Sequence, residues 1–391
     1  MAHAAALAIA VDSLRSDNRA AAEAALAGAF GAAPAGGWLA ATEALAARAQ
    51  ALVEAMDWIA AHRVYEILVQ LGHRYFDWHR ERLAWRARNQ DAFRAQFEAQ
   101  DPILRLRPFL EEKLGRPISS ITTKALKPGY VGMAIYRHRI RFADGDDRLV
   151  IIEKVMSDEC RDTRRVDAER LLFTIVPPAS LLAPPYHGVL PMGSFVSTFQ
   201  GFSPGAPLPI ADWAETYAAL LYRYWSVVPS ERLTGGPRLA KVYLDRVREV
   251  IEKKLPEQVP HYLRTTAIDD AALVLSRSFS SIEERVARMP IFVFHDDLHC
   301  GNILVDEAGA MSIIDWDNWA LAPIGSGWMF YAMDDPDPID MERLRAARAL
   351  PEAVTAEDLM LMAALWGWHK ALRDAKYDLA ARWLERLCLL V

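Results

Sequence analysis

Hydrophobic positions first recur with a helical period. From about Trp38 to Gln100 the large apolar side chains return about every 3.6 residues, which predicts long amphipathic helices. Arginines and acidic residues alternate in the same region, which favours a solvated charged face over a basic surface for an acidic partner. Asp101 and Pro102 then provide an N-cap and a first-turn proline for a further helix over Ile103–Leu114.

The pattern changes to that of strands after residue 116. Short apolar runs predict strands over Ile118–Leu126, Met133–Phe142 and Arg148–Val155, and Ala143–Asp147 is typical of a hairpin turn. A helix is predicted from Val166, and further strands from Leu190. Beyond Pro209 the helical period returns, with candidate helices over Ile210–Val227, Arg238–Lys254 and Asp269–Met289.

Residues 290–305 place a dense polar sequence between two short apolar runs, which predicts a tight loop between two buried strands. A third short strand begins at Met311 and ends at Asp315. We therefore expect Asp297, Asn302 and Asp315 to lie close together at one end of a small sheet. A carboxylate that accepts a hydroxyl proton, with an amide oxygen and a second carboxylate for a hard cation, is what phosphoryl transfer from Mg-ATP requires.

A zinc site is the competing interpretation of this stretch. His295 and His299 are four residues apart, as in zinc proteases, with Asp296 at the position of the usual glutamate. That chemistry needs a helix, so that both imidazoles share one face. Gly301 and the flanking strand-like runs argue against a helix here.

The loop HDDLHCGN at residues 295–302, followed by IDWD at residues 314–317, resembles the catalytic and metal-binding core of the aminoglycoside phosphotransferase and choline kinase-like family. Members of that family have a protein-kinase-like fold. The usual family loop is HGDLHPGN, so Asp296 replaces a glycine and Cys300 replaces a proline. The resemblance implies that Asp297 is the catalytic residue and that Asn302 and Asp315 bind Mg²⁺.

The resemblance also implies a nucleotide site on the strand-rich part. Lys154, on an apolar strand, would neutralise the α- and β-phosphates of ATP and pair with Glu169 on the next helix, with Asp167 as the alternative partner. The turn before that strand carries Gly129 and Gly132, which would let the backbone approach the phosphates; the alternative is an ordinary hairpin. The main chain of the lobe-linking hinge would bind adenine, over Thr198, Phe199, Gln200 and Gly201.

The predicted architecture is α+β and two-lobed, with three parts. Residues 1–115 form an N-terminal helical extension, residues 116–200 a kinase-like lobe with a small antiparallel sheet, and residues 201–391 a mainly helical lobe with the catalytic loop. The extension lies outside the region that resembles the family. It carries a dense aromatic stripe from Tyr65 to Phe97, which we expect it to cover either on the kinase-like body of the same chain or in a homodimer.

Composition limits the partners. The net charge of −6 gives no general affinity for nucleic acid, and the three scattered cysteines form no disulfide framework, which favours a cytoplasmic location. The apolar segment Ala4–Val11 is a poor signal peptide and is too short to span a membrane, and no membrane partner is expected.

The predicted activity is transfer of the γ-phosphoryl group of ATP, with Mg²⁺, to a hydroxyl group of a small molecule. Carboxylates next to indoles, as in the acidic run 334–340 and at Trp316, Trp319, Trp328, Trp366, Trp368 and Trp383, favour an amine-bearing acceptor such as an aminoglycoside, choline or an amino alcohol or sugar. The alternative is that these indoles belong to the core. A protein kinase and a non-catalytic nucleotide-binding module stay open as other functions.

Overall fold

The structure is a computed structural model. It describes residues 35–55, 57–70, 76–99, 101–126, 132–158, 160–209, 266–295, 297–323, 355–373 and 377–390, together with isolated positions between 9 and 25 and between 211 and 248. The predicted helices Ile210–Val227 and Arg238–Lys254, the acidic run 334–340 and Trp328 lie outside this description.

The described residues between 35 and 114 are mainly helical, as the sequence pattern predicts. Helices α1 (Ala35–Glu54), α2 (Trp58–Gln70) and α3 (Asp77–Phe93) follow one another, and α3 continues into a π-helical turn at Arg94–Glu98. Helix α4 (Pro102–Leu114) has the predicted cap, because the Asp101 carboxylate accepts a hydrogen bond of 3.0 Å from the Ile103 amide. It ends at Gly115, whose φ of 66° lies in the left-handed region that glycine adopts most readily.

A five-stranded antiparallel sheet follows, with the order β1-β2-β3-β5-β4. Its strands are β1 (Ile118–Leu126), β2 (Ala134–Phe142), β3 (Arg148–Ser157), β4 (Tyr186–Met192) and β5 (Phe195–Gly201), and helix α5 (Cys160–Ile175) connects β3 to β4. The first three predicted strands are confirmed to within two residues, whereas β4 begins four residues before Leu190. The predicted helix is also present, although it begins six residues before Val166.

The two faces of the five-stranded sheet carry different sets of side chains, because neighbouring residues of a strand point to opposite faces. Lys154 of β3 is paired in register with Thr198 of β5, so these two side chains share one face, which helix α5 covers in part. Glu153 shares the opposite face with Phe199. On that face α3, its π-helical turn and α4 pack, through the buried cluster around Trp85, Phe93, Phe97 and Phe195 and the cluster around Leu106, Leu110 and Phe199.

The aromatic stripe of the extension is thus buried, in part, against the sheet of the same chain. The ring of Phe97 lies 5.4 Å from that of Phe195 and 6.4 Å from that of Tyr136, and Trp85 meets Phe195 edge-on at 5.9 Å. These contacts favour the interpretation in which the kinase-like body covers the stripe. Whether the extension also makes a homodimer stays a prediction.

The described residues of the last part of the chain are mainly helical, which completes the predicted α+β, two-lobed architecture. It contains helices α6 (Thr266–Arg288), α7 (Ala356–Arg373) and α8 (Tyr377–Cys388). Its strands are β6 (Ala206–Pro207), β7 (Ile291–His295), β8 (Ile303–Val305), β9 (Met311–Ile313) and β10 (Trp319–Pro323), which form a two-stranded sheet β10-β7 and a three-stranded sheet β6-β8-β9. The exact boundaries predicted for the three parts stay predictions.

Five described tryptophans of this part belong to the core. Trp316, Trp319, Trp366, Trp368 and Trp383 are each at most 2% exposed. Gly367 of α7 permits this packing, since a Cβ at that position would lie 2.4 Å from the Trp383 ring. The hypothesis that these five indoles contact a cationic substrate is therefore wrong, because burial removes their faces from any ligand. No helix among the described residues is long and apolar enough to cross a membrane.

Candidate active site

The polar loop after β7 is fixed by His295. The Asp297 amide donates to His295 Nδ1 at 3.2 Å, and His295 Nε2 donates to the Ile314 carbonyl at 2.8 Å. Both ring nitrogens are therefore engaged within the protein, and the loop continues into a single 3-10 turn at Cys300–Asn302 instead of an α-helix. The zinc interpretation is wrong for these two reasons.

Asn302 joins the loop to the next strand. Its side-chain Nδ2 donates to the Asp297 carbonyl oxygen at 2.8 Å, and its own carbonyl accepts from the Ile314 amide at 3.0 Å. The side chain is almost buried, and the bond from Nδ2 leaves the amide oxygen Oδ1 for another partner. Asp297, Asn302 and the residue before Asp315 are thus brought together, as the sequence predicts.

Asp315 has an unusual backbone for an aspartate. Its φ of 70° and ψ of 46° lie in the left-handed region, which is uncommon for any residue other than glycine. The turn is held in place by Trp316, whose indole donates to the Ile313 carbonyl at 3.0 Å and packs edge-on against the His295 ring at 4.8 Å. Backbone strain of this kind concentrates at functional sites, where surrounding contacts maintain it.

Lys154 reaches this turn from the sheet. Its ammonium group contacts the carboxylate of Asp315 and lies 2.8 Å from Asp317 Oδ2. Burial alone would lower the pKa of Lys154, but the two carboxylates outweigh it and raise the pKa above its ordinary value. Burial would likewise raise the pKa of Asp315, and the charge of Lys154 instead holds it below the usual range. Both groups are therefore charged at neutral pH.

Glu169 is not the ion-pair partner of Lys154, which corrects the sequence prediction. Glu169 accepts a hydrogen bond from the side-chain amide of Gln200, while Lys154 pairs with the nearer carboxylates of Asp315 and Asp317. Asp167, the alternative partner, pairs instead with Arg170 at 2.8 Å. Burial, reinforced by the charge of Asp317, raises the pKa of Glu169 to about 8. Its Oε2 atom is buried and has no hydrogen-bond partner within the described structure.

Arg165 is a second cation at the site that the sequence analysis missed. Its guanidinium NH1 lies 3.9 Å from Asp317 Oδ2, and Asp317 is itself buried. The signal in the sequence is its position four residues before Glu169, because residues four apart share one face of a helix. Asp317 therefore lies between two positive groups, Lys154 and Arg165.

Gly132 adjoins the lysine, whereas Gly129 lies outside the described residues. A Cβ at position 132 would lie 3.2 Å from the Val155 carbonyl oxygen and 3.7 Å from Lys154 Cγ. The absence of a side chain at position 132 therefore keeps open the space beside Lys154. The role of either glycine in binding phosphate stays a prediction.

The span predicted as the hinge lies within the five-stranded sheet. Thr198, Phe199, Gln200 and Gly201 belong to β5, whose backbone pairs with β3 on one side and β4 on the other. Their main-chain groups are thus largely used within the sheet, and binding of adenine by this span stays a prediction. Thr198 and Gln200 nevertheless face the same side of the sheet as Lys154.

The oxygen atoms gathered here fit a Mg²⁺ ion. Asp315 and Asn302 supply a carboxylate and an amide oxygen, which are the hard donors that this ion prefers. The hydrogen bond from the Ile314 amide to the Asn302 carbonyl places Asp315 and Asn302 at neighbouring ends of β9 and β8. Asp315 and Asn302 offer oxygen atoms alone, which favours a hard cation over a softer metal.

Comparison with known proteins agrees with this geometry. Residues 170–356, a little under half of the chain, match the family described as "Phosphotransferase enzyme family", abbreviated APH. This part of the chain is similar to that phosphotransferase family. The matched residues include Asp297, Asn302 and Asp315, and they begin just after Glu169. The family resemblance inferred from the loop is thereby confirmed. No match was found among curated proteins.

Solved structures of phosphotransferases are also similar to the chain. The macrolide 2′-phosphotransferase of Brachybacterium faecium is 15% identical, with 72% of this chain and 96% of that chain covered at a TM-score of 0.48. A thermostable mutant of an aminoglycoside phosphotransferase is 16% identical, with 73% and 97% covered at 0.44. A spectinomycin phosphotransferase, solved with ADP and spectinomycin, is 13% identical, with 73% and 94% covered at 0.37.

Proposed function

We propose that this phosphotransferase-family chain moves the γ-phosphoryl group of ATP to a hydroxyl group of a small molecule. The observation that supports this most directly is the meeting of Lys154 from the sheet with Asp315 and Asp317 from the turn after β9. A cation and a cluster of hard oxygen donors at one point are suited to a metal-bound polyphosphate. Asp297 lies in the same region and bears on the pKa of Asp315 through its charge.

Asp297 is the proposed catalytic residue. Its backbone is held by His295 and Asn302, so its side chain is directed by a rigid loop while remaining about one-third exposed. In the proposed reaction its carboxylate accepts the proton of the acceptor hydroxyl group. The hydroxyl oxygen forms a bond to the γ-phosphorus, and the bond from that phosphorus to the β–γ bridging oxygen breaks to release ADP.

Asn302 and Asp315 would hold Mg²⁺, with Asp317 close by. The ion, when bound, supplies positive charge to the phosphate oxygens. Lys154 would exchange its contact with Asp315 for the α- and β-phosphates, because both are anionic partners for the same ammonium group. Arg165, on the adjacent helix, would add a second positive charge to the same side of the site.

The acceptor is proposed to be a small hydroxyl-bearing molecule that also carries an amine, of the aminoglycoside, choline or sugar and amino-alcohol class. The negative groups at the site and the net charge of −6 are compatible with a cationic acceptor. The five buried indoles lend no support to this choice, so it depends on the family alone. Location in the cytoplasm is likewise a proposal.

A transfer screen tests the proposed function. Purified protein is incubated with Mg²⁺ and γ-labelled ATP in the presence of aminoglycosides, choline, amino alcohols, sugars and a general protein substrate, and labelled products are separated by size. Transfer to a small molecule that disappears in the Asp297→Asn variant supports the proposal. Labelling of the protein substrate alone would favour a protein kinase, and ATP binding without any transfer would favour a non-catalytic module.

A further inference from the structure

The helical extension makes a direct contact with the Gly132 turn, formed by Gly132 and Met133 immediately before β2. Arg86 of α3 is 2% exposed, and its guanidinium NH2 donates a hydrogen bond to the Gly132 carbonyl oxygen. The same guanidinium lies 4.3 Å from the ring centroid of Trp58 on α2. A buried arginine held between an aromatic ring and a backbone carbonyl is fixed in position, because both the planar stacking and the hydrogen-bond direction constrain it.

Gly132 is in turn packed against the lysine strand. The Met133 amide donates to the Val155 carbonyl at 2.7 Å, and the α-carbon of Gly132 faces Lys154 Cγ closely enough that an added Cβ would be 3.7 Å away. Arg86 therefore contacts a residue, Gly132, that lies directly beside the Lys154 side chain. A shift of Gly132 would change the space beside the ammonium group.

A second buried contact ties the helices to the same strand from behind. Arg105 of α4 donates to both carboxylate oxygens of Glu153, at 2.5 and 2.8 Å, and both side chains are almost fully buried. Ser197 and His138 also donate to this carboxylate, at 2.6 and 2.9 Å. Glu153 immediately precedes Lys154, so the strand that carries the lysine is held from its opposite face.

We propose that the N-terminal helices are a working part of the nucleotide site, in which Arg86 is a positioning residue for the turn at Gly132. This inference rests on the proposed function, because the turn matters to catalysis only if it borders the phosphates of a nucleotide. The helices hold the Gly132 turn and the Lys154 strand in register, so that backbone and ammonium group reach the phosphates together. The extension is then required for nucleotide affinity and not only for stability.

The test compares Arg86→Lys with Arg88→Ala in the full-length protein. Lysine keeps the charge and the apolar stem but loses the planar fork, whereas Arg88 is exposed on the same helix and serves as the control. Calorimetric titrations with ATP, ADP and adenosine, in the presence of Mg²⁺, measure affinity for ligands with and without phosphates. We expect Arg86→Lys to lower the affinity for ATP and ADP about three- to tenfold. The affinity for adenosine should be unchanged, and the affinities of Arg88→Ala for all three ligands should match those of the wild type.

Equal affinity of Arg86→Lys and the wild type for ATP, together with a lowered thermal midpoint, would make Arg86 merely structural and overturn the proposal. If Arg86→Lys does not fold, Trp58→Phe, which keeps an aromatic ring but reduces the stacking surface, should show a smaller loss of ATP affinity in the same direction; no loss overturns the proposal.

A wild-type protein that binds no nucleotide would refute the proposed function and, with it, the role of the turn in affinity. Hydrogen exchange distinguishes this failure from a failure of the positioning contact. The amides of residues 132–135 should exchange faster in Arg86→Lys than in Arg88→Ala, and unchanged exchange would show that Arg86 does not position the turn.

Discussion

The ammonium group of Lys154 on β3 contacts the carboxylate of Asp315, although 161 residues separate them in the chain. This ion pair joins the sheet to the loop region of the helical part, so the candidate site is built from both. Neither half contains the full set of groups, because the sheet supplies the cation and the turn after β9 supplies the carboxylates. Substitutions of either Lys154 or Asp315 should therefore affect the binding of the same nucleotide.

Asp297→Asn should abolish phosphoryl transfer while leaving the loop intact. The contacts that hold residue 297 come from its backbone amide and carbonyl, and the substitution keeps both. Loss of a positioned proton acceptor typically reduces kcat by about 10²–10⁴-fold. Steady-state kinetics on the true acceptor measure kcat, and titration with Mg-ATP should give an affinity close to that of the wild type. A variant that retains more than about one-tenth of the wild-type rate contradicts this role for Asp297.

Arg165→Ala should lower the affinity for ATP more than the affinity for adenosine. Arg165 lies next to Asp317 on the side of the site assigned to the phosphates, and a charge-assisted contact to phosphate is expected to contribute about tenfold or more in affinity. Arg170→Ala is the matched control, since Arg170 is exposed on the same helix and pairs with Asp167. Equal ATP affinities of the two variants, measured by calorimetry, would remove Arg165 from the phosphate site.

Glu169→Gln should change how stability depends on pH. Burial raises the pKa of Glu169 from 4.5 to about 8, so between these values the folded protein keeps a proton that the unfolded chain releases. Stability of the wild type is therefore reduced as the pH rises through this window, by at most about 1.4 kcal/mol per pH unit from this group. Glutamine is neutral throughout and can still accept from Gln200, so its advantage over the wild type should grow with pH.

Urea unfolding at pH 5 and pH 8 measures this difference. Glu112→Gln provides the control, because Glu112 is exposed and its replacement should give the same small change at both values. A difference between Glu169→Gln and the wild type that is the same at pH 5 and pH 8 would show that Glu169 does not carry the raised pKa.

Removal of residues 1–100 should cause aggregation. The truncation uncovers Tyr136, Phe195 and the rest of the cluster that Trp85, Phe93 and Phe97 cover, and a continuous apolar face of this kind promotes association. Light scattering on the full-length and truncated proteins measures the outcome. A truncated protein that stays monomeric, soluble and fully active would show that the extension is an independent module.

Local signals in the sequence account for what was predicted correctly. The cap formed by Asp101 and the turn at Ala143–Asp147 act over a few residues, so α4 and the first three strands could be located closely. The polar loop after β7 was predictable for a similar reason, because Asp297 and Asn302 are joined by one short turn.

Contacts between distant segments account for what was missed. Lys154 had several carboxylates as possible partners, and only the folded chain shows that Asp315 and Asp317 lie nearer than Glu169. The cross-strand pairing of Thr198 with Lys154 likewise depends on the order of strands in the sheet, which no local pattern specifies.

The most direct test of the central claim, that Asp315 and Lys154 form a Mg-ATP site, is calorimetric titration of Asp315→Ala with ATP in the presence and absence of Mg²⁺. Asp146→Ala, at an exposed position in the hairpin after β2, is the control and should behave as the wild type. We predict that Mg²⁺ strengthens ATP binding to the wild type and the control but has little effect on binding to Asp315→Ala. The same dependence on Mg²⁺ in all three proteins would contradict the account.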